Sequence, residues 1–208
     1  MEHDYVMDNN SIVAVFDFDG TLTYKDSLFP FLHLVVGKWR FVWGMICISP
    51  ILLGYSLKLI PNWRAKEMVL KHFLQGLSKE HLQKLGERFA TVHIPQLLRS
   101  EAVKRLHWHQ TQGHQTILIS ASLEDYIIPW SKSMGFNYAM GTNLVIKQGY
   151  ITGKILGKNC YGSEKTKRLK DLLGDLNQYS IYAYGDSKGD RELLAIANYP
   201  FYQKFSEN

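Results

Sequence analysis

Apolar residues along this chain follow two different spacings. Three short runs, at residues 11–16, 116–119 and 180–184, are apolar and partly β-branched and end in small or acidic residues, which predicts buried strands. Apolar residues with helical spacing occur in six other segments: residues 63–74, 78–92, 101–112, 124–134, 164–173 and 191–197. Because strands that alternate with helices form parallel βαβ units, the pattern predicts an α/β fold with a doubly wound, mainly parallel sheet.

Two regions depart from this alternation. Residues 27–99 carry no strand signal, so we predict a helical cap subdomain inserted into an α/β core made of residues 1–26 and 100–208. Residues 143–155 alternate around Gln148 and Gly149, which predicts a β-hairpin.

The inserted region contains an unusually apolar segment. Residues 41–57 carry no charge, and basic residues flank them at both ends: Lys38, Arg40 and Lys58. Three interpretations compete: a buried pair of helices, a helical hairpin in the membrane interface with Trp39 and Trp43 at the headgroups, and a membrane span. The span is the least favoured, because the segment is short for a span and contains Pro50.

Composition narrows the class of protein. The chain has 208 residues, 46% of them hydrophobic, which is enough for a folded core with one inserted subdomain. Its formal net charge of +5 is spread along the chain, so we predict no nucleic-acid partner, and a phosphate-bearing substrate suits the same charge.

Cys47 and Cys160 form no CxxC pair, and the acidic N-terminus does not resemble a signal peptide, so we expect a cytoplasmic protein. His107 and His109 do not share a helix face, so we expect a surface role for them rather than a metal site.

Two carboxylates follow the first predicted strand in the stretch VFDFDGTLT. Asp17 and Asp19 are two residues apart, so both lie on one face where the strand ends, and ligands of open α/β sheets bind at that edge. A surface turn explains one acid easily, but two acids beside Phe16 and Phe18 require a cation or a reaction to offset their repulsion. The pair therefore indicates a functional site.

Other strand ends carry complementary chemistry. The stretch ISAS brings Ser120 to the end of the second strand, and YGDSKGD brings Asp186 and Asp190 to the end of the third. The stretch GSEKTKRL starts a helix with Lys165 in its first turn. Each residue alone has an ordinary structural explanation, but together they suit phosphate and Mg²⁺.

These motifs resemble those of the haloacid dehalogenase superfamily, in its phosphoserine-phosphatase-like branch. DFDGT, ISAS, Lys165 and GDSKGD match the four motifs of that superfamily in order, and the insertion matches the helical cap of the branch. Within the branch, the chain looks most like the subgroup that includes bacterial phosphatidylglycerophosphatase C. The resemblance implies a Mg²⁺-dependent phosphomonoester phosphatase that works through an aspartyl-phosphate.

The resemblance also implies a role for each matching residue. Asp17 would be the nucleophile and Asp19 the general acid and base. The Asp17 carboxylate, the Asp19 backbone carbonyl and Asp186 would hold Mg²⁺, while Asp190 would orient water or Lys165. The phosphoryl oxygens would be bound by side chains and backbone N–H groups of four residues: Ser120, Lys165, Gly20 and Ala121.

Substrate choice stays open at this stage. Asp26 matches the cap glutamate that reads the serine amine in phosphoserine phosphatases, but it is shorter, and Arg64 is the candidate for the partner arginine. The apolar cap suggests a lipid phosphate such as phosphatidylglycerophosphate and peripheral contact with the inner face of the membrane; phosphoserine or another soluble ester is the alternative. A second alternative is a catalytically silent, membrane-docked binding module, against which the intact Asp17, Asp19 and Lys165 argue. No oligomeric state is predicted.

Overall fold

A five-stranded parallel sheet organises the computed structural model, which describes residues 11–205. Its strands are β1 (Ser11–Phe16), β2 (Gln115–Leu123), β3 (Tyr138–Thr142), β6 (Tyr179–Gly185) and β7 (Tyr199–Tyr202), in the order β3-β2-β1-β6-β7. Every neighbouring pair is parallel. The predicted doubly wound α/β fold is therefore confirmed.

Both faces of the sheet are covered. Along β1, Ala14 and Phe16 join one apolar cluster, while Val13 and Val15 join a second cluster on the opposite face. Because a strand buried on both faces has no polar side, β1 is recognisable as a continuous apolar run.

The sequence prediction missed the edge strands β3 and β7. Their side chains are largely exposed or half-buried, so the apolar signal that marks β1 is weak in them. β7 also contains Pro200, which a strand tolerates at a sheet edge because no partner needs its missing N–H.

Each of the six segments predicted to be helical contains a helix. The helices of the described chain are α1 (Leu28–Val36), α2 (Lys38–Ser56), α3 (Asn62–Leu74), α4 (Lys79–Arg88), α5 (Ser100–Thr111), α6 (Glu124–Ser133), α7 (Ser163–Leu173) and α8 (Arg191–Ala195). The Ser78 hydroxyl caps α4 by accepting the backbone N–H of His81 at 3.3 Å, as its sequence position suggests. Four of the described helices, α1 to α4, lie within residues 27–99, where the insertion is predicted.

The predicted hairpin is present as β4 (Leu144–Lys147) and β5 (Tyr150–Ile155), which pair antiparallel. It lies against the inserted helix α3 instead of extending the main sheet. The N–H of Gly76 donates to the Ile151 carbonyl at 2.9 Å, and the N–H of Ile151 donates to the Leu77 carbonyl at 2.8 Å. A Cβ added at Gly153 would lie 2.3 Å from the Cα of Lys71, so glycine permits this close approach. The hairpin thus belongs to residues 100–208 in sequence but packs on the insertion.

The apolar segment 41–57 forms most of one helix, α2, so the expected pair or hairpin of helices is wrong. Pro50 removes one backbone hydrogen bond inside α2, and the Ser49 hydroxyl donates to the carbonyl thereby left without a partner, that of Ile46, at 2.8 Å. Burial is also wrong for much of the helix, since only Gly44 and Ile48 are buried. Among residues 11–205, no helix is long and apolar enough to cross a membrane.

Two smaller expectations have different outcomes. The acidic segment 1–10, from which we expect no signal peptide, lies outside the described residues. His109 is fully buried between α5 and β6, so the expected surface role is wrong for it, whereas His107 is exposed. The Nε2 of His109 lies 2.8 Å from the Tyr184 hydroxyl, and its Nδ1 lies 2.8 Å from the Nδ1 of His114.

Candidate active site

The loop after β1 packs closely against Asp186, so two of the predicted acids, Asp17 and Asp186, lie near each other. The N–H of Asp17 donates to the Tyr184 carbonyl at 3.0 Å, so β1 and β6 stay paired up to the first acid. Gly20 then adopts a φ of +77°, and a Cβ at this position would lie 2.1 Å from Oδ2 of Asp186. Glycine is therefore required here for two reasons, its backbone conformation and the closeness of Asp186.

Lys165 joins two buried carboxylates. Its Nζ lies 2.6 Å from Oδ1 of Asp17 and 2.6 Å from Oδ1 of Asp190, and all three side chains are almost completely buried. Burial opposes the charge of Lys165, but the two carboxylates more than compensate and hold its pKa above the usual value. Burial raises the pKa of Asp17 to about 6; Lys165 opposes this rise and the charge of Asp190 adds to it.

Three carboxylates form a candidate cation site. Oxygens of Asp17, Asp186 and Asp190 all lie within 4.8 Å of one another. Both oxygens of Asp190 already accept hydrogen bonds, one from Lys165 and the other from Ser187, whose N–H and hydroxyl lie at 3.0 and 2.8 Å. Asp186 is half-buried, its carboxylate accepts a long 3.4 Å bond from the Thr21 hydroxyl, and burial together with the charge of Asp190 raises its pKa. This donor set suits a hard divalent cation on Asp17 and Asp186, with Asp190 behind them.

The Asp19 side chain belongs to a separate hydroxyl network. Its Oδ1 accepts the N–H of Ser27 at 2.8 Å, and its Oδ2 accepts the Ser122 hydroxyl. The Ser27 hydroxyl lies 3.3 Å from that of Ser122 and 2.9 Å from that of Tyr126. Burial raises the pKa of Asp19 to about 7, the charge of Asp26 adds to the rise, and the bonds from Ser122 and Ser27 oppose it. A carboxyl with this pKa can both donate and accept a proton near neutral pH.

Sequence reasoning did not identify Ser27, Ser122 or Tyr126. Ser122 was detectable, because it lies two residues after Ser120 and shares its strand face. Ser120 itself is buried, and its hydroxyl accepts the N–H of Ser122 at 3.1 Å.

One cavity of about 520 Å³ connects these groups. Its lining includes eight of the residues selected from the sequence: Asp17, Asp19, Gly20, Asp26, Ser120, Ala121, Lys165 and Asp186. Asp190 does not line the cavity but contacts Lys165, which does, and this position suits the expected role of orienting Lys165. Asp26 is exposed, and its carboxylate accepts the N–H of Leu28 at 2.8 Å at the start of α1.

Arg64 does not lie where the expected substrate-reading arginine should be, because it is exposed and does not line the cavity. Lys66 lines the cavity instead. The buried residues of α3 include Ala65, Val69 and Leu70; Lys66 is three and four residues before the last two and shares their side of the helix. Arg64 is two positions from Lys66, about half a turn away, so it faces outward. Helical spacing alone could have distinguished the two basic residues.

Lys66 reaches across the cavity to the core. Its Nζ donates to the Ala121 carbonyl and, at 2.9 Å, to Oδ1 of Asn159. Burial lowers the pKa of Lys66 to about 8, opposed by the charges of Asp19 and Asp26. Both acceptors are neutral, so Lys66 brings a positive charge to the cavity wall.

Part of the cavity wall is apolar. It is formed by residues of α1, α2 and α3: Leu28, Phe29, Leu52, Tyr55, Ala65 and Val69. The cavity lining therefore combines charged residues at the strand ends with an apolar set from α1, α2 and α3.

Comparison with known proteins agrees with this geometry. The family model of haloacid dehalogenase-like hydrolases matches residues 14–195, so the chain belongs to that family. The protein CicA of Caulobacter vibrioides is 32% identical over 201 residues, which cover 96% of this chain and 89% of CicA. A histidinol-phosphatase of Neisseria meningitidis is 30% identical, with 90% of this chain and 88% of that protein covered.

The fold matches that of phosphoserine phosphatase. A structure of that enzyme described as a phospho-aspartyl intermediate analogue superimposes with a TM-score of 0.60 at 17% identity, covering 90% of this chain and 84% of the other. The predicted superfamily is thus confirmed by the family model, and the fold is the one that the predicted phosphoserine-phosphatase-like branch requires. The protein is a phosphatase of the haloacid dehalogenase type, a hydrolase of phosphoric monoesters.

Proposed function

We propose that the protein is a Mg²⁺-dependent phosphatase that forms an aspartyl-phosphate on Asp17. The observation that carries the proposal is the buried contact of Asp17 with Lys165, beside Asp186 and in the lining of the cavity. A nucleophilic carboxylate must approach an anionic phosphate, and this surrounding reduces the repulsion between them.

The chain's own residues account for both halves of the reaction. An oxygen of Asp17 bonds to phosphorus, the ester P–O bond breaks, and Asp19 gives its proton to the leaving oxygen. Asp19 then takes a proton from the water that attacks phosphorus, and the bond between phosphorus and Asp17 breaks to release phosphate. The hydrogen bonds from Ser27 and Ser122 keep the Asp19 carboxyl oriented between these two steps.

Mg²⁺ would be held by the carboxylates of Asp17 and Asp186 and by the backbone carbonyl of Asp19. When bound, it supplies positive charge to the phosphoryl oxygens and to Asp17. Ser120, Lys165 and the N–H groups near Gly20 and Ala121 would bind the remaining phosphoryl oxygens. Asp190 would position Lys165, because it contacts the lysine from the side away from the cavity.

Phosphate release tests this mechanism. The wild-type protein should release phosphate from a monoester with Mg²⁺ and should stop when EDTA removes the metal. Asp17→Asn should lower kcat at least about 1,000-fold, because the amide cannot form the intermediate. Asp171→Asn, at an exposed acid of α7, is the matched control and should keep full activity. Full activity of Asp17→Asn would exclude this mechanism.

For the substrate, we propose a lipid phosphate, such as phosphatidylglycerophosphate, met at the inner face of the membrane. The apolar wall formed by Leu28, Phe29, Leu52 and Val69 suits an acyl or glyceryl portion, and Lys66 suits a second anionic group. The resemblance to phosphatidylglycerophosphatase C points the same way. A cytoplasmic location agrees with the free thiols of Cys47 and Cys160.

A soluble substrate is the second candidate, favoured by the histidinol-phosphatase relative and the fold of phosphoserine phosphatase. Values of kcat/KM for phosphatidylglycerophosphate, phosphoserine and histidinol phosphate separate the two. A preference for the lipid supports the first candidate, and a preference for either amine-bearing ester supports the second. A protein that binds these esters without turnover would be the silent binding module.

A further inference from the structure

An apolar stripe runs along the outward side of α2. Trp39, Trp43, Ile46, Leu53 and Leu57 recur every three, four or seven residues, so they share one face of the helix up to its C-terminal end. Trp39 is 75% exposed, Trp43 66%, and Leu53 and Leu57 60% each. We refer to these five residues as the outer stripe.

The opposite side of α2 is also apolar, but it is packed. Ile48 is buried, and Phe41, Met45 and Leu52 pack against the core cluster. A Cβ at Gly44 would lie 2.3 Å from the ring of Phe73, which shows how closely α2 approaches α3. A helix that is apolar all round is normally covered all round, so the exposed outer stripe calls for a partner.

The charges around the stripe identify the partner. Residues 27–66 contain no aspartate or glutamate, but they contain five basic residues: Lys38, Arg40, Lys58, Arg64 and Lys66. Lys38 and Arg40 lie at the start of α2 and Lys58 just after its end, and all three are exposed. Exposed tryptophan and leucine with basic residues at both ends form a surface complementary to an anionic bilayer.

The catalytic cavity lies on the packed side of α2, opposite the outer stripe. Leu52 and Tyr55, from the same C-terminal half of α2, line the cavity, and their neighbour Leu53 belongs to the outer stripe. A lipid in the bilayer would therefore have only the width of one helix to cross before its headgroup reached the cavity.

We propose that α2 lies flat on an anionic lipid bilayer, with the outer stripe in the interface and Lys38, Arg40 and Lys58 at the lipid headgroups. Docking explains why the stripe is apolar and why residues 27–66 contain no acid. The supply of a lipid phosphate to Asp17 rests on the proposed function, whereas the docking itself does not.

Vesicle flotation tests the docking. The wild-type protein should float with phosphatidylcholine vesicles that contain about 30% phosphatidylglycerol and bind far more weakly to phosphatidylcholine alone. The double variant Trp43→Gln with Leu53→Gln should bind the anionic vesicles at least about tenfold more weakly, because two large side chains no longer enter the interface. Its rate on soluble p-nitrophenyl phosphate should stay at the wild-type value.

The matched control is the double variant Val92→Gln with Leu156→Gln, which changes two exposed apolar residues outside α2. It should bind as the wild type does. Equal binding of the two double variants, or no binding of the wild type to anionic vesicles, would overturn the docking. So would a wild-type dimer that the stripe variant dissociates without vesicle binding, because a second copy would then cover the stripe.

Failure of the docking and failure of the proposed function can be told apart. Asp17→Asn should float like the wild type even though it hydrolyses nothing. A wild-type protein that floats but releases no phosphate from any ester would refute the phosphatase mechanism alone, and one that hydrolyses p-nitrophenyl phosphate without floating would refute the docking alone.

Discussion

Asp17 and Asp19, two residues apart, have environments that suit different tasks. Asp17 contacts Lys165 at 2.6 Å, which opposes the rise that burial causes, so the pKa of Asp17 is about 6. Asp19 accepts bonds from Ser27 and Ser122, forms no salt bridge with a cation of the described residues, and has its pKa raised by burial to about 7. Two carboxyls of different proton affinity are what a nucleophile and a proton donor require.

Gly20→Ala should abolish most activity without unfolding the protein. The added Cβ would occupy the space of Oδ2 of Asp186, and the displaced carboxylate should cost at least about 100-fold in kcat. Gly113→Ala is the control, because Gly113 has a similar φ of +73° but an added Cβ would have no neighbour within 4 Å. Both variants should lose about 1 kcal/mol of stability in chemical denaturation. Equal activities of the two would refute the close packing of Gly20 on Asp186.

Lys66→Met should raise KM for an anionic substrate about tenfold, with a smaller effect on kcat, because Lys66 faces the cavity without touching Asp17. Arg64→Met, at the exposed position two residues earlier, should leave both constants unchanged. Steady-state kinetics on the two variants measures this difference. The reverse order of effects would return the specificity role to Arg64.

At the scale of single elements, α5 packs on β6 through a buried histidine. His109 faces Arg105 of its own helix, His114 of the following turn and the hydroxyl of Tyr184, which also accepts a 2.6 Å bond from Arg105. Burial, together with the charges of Arg105 and His114, lowers the pKa of His109 to about 3. The neutral ring is therefore part of the folded state.

This contact should make the protein acid-sensitive. Between pH 3 and about 6.5 the unfolded chain binds a proton at His109 that the folded chain does not, so stability rises with pH in this window. The free energy of unfolding should fall by up to about 2 kcal/mol from pH 7 to pH 5 because of this residue. Urea titrations at the two pH values measure this decrease. In His109→Gln the free energy of unfolding should decrease less, by the amount that His114 and other groups contribute. His107→Gln, at the exposed histidine, should leave the fall unchanged; an identical fall in all three proteins would contradict this explanation.

The helices α2 and α3 show where periodicity is informative and where it is not. In α3 the apolar residues occupy one side, so the side that holds Lys66 could be predicted. In α2 both sides are apolar, so no spacing tells which side is packed. The packed side of α2 is the one that carries Gly44, because the Phe73 ring of α3 lies against Gly44.

At the scale of the whole molecule, the candidate site joins groups from distant parts of the chain. β1, β6 and the start of α7 supply the carboxylates and Lys165, and the inserted helices supply Lys66 and the apolar wall. The carboxylates of Asp17, Asp186 and Asp190 share only one close cation, Lys165, within the described residues. The folded protein should therefore gain stability from a divalent cation.

Mg²⁺ at ten times its Kd should raise the Tm by about 3 °C, because it binds the folded state and not the unfolded chain. Asp186→Asn should remove most of this rise, since it removes one of the two carboxylates free to bind the ion. Asp171→Asn, the exposed control, should keep it. Scanning calorimetry with and without Mg²⁺ measures the shift in Tm. The same shift in Asp186→Asn as in the wild type would show that the cation does not bind at the proposed site.

The sequence by itself determined the central strands, the six helices α3 to α8 and the acids at the strand ends, because burial on a strand and helical spacing are local properties. Only the tertiary structure decided which carboxylates are free for a cation, that Lys66 and not Arg64 faces the cavity, that the hairpin packs on α3, and which side of α2 is exposed. These outcomes depend on neighbours distant in the chain: Asp190 loses its free lone pairs to Lys165 and Ser187, and α2 has one side covered by α3 and the other left open.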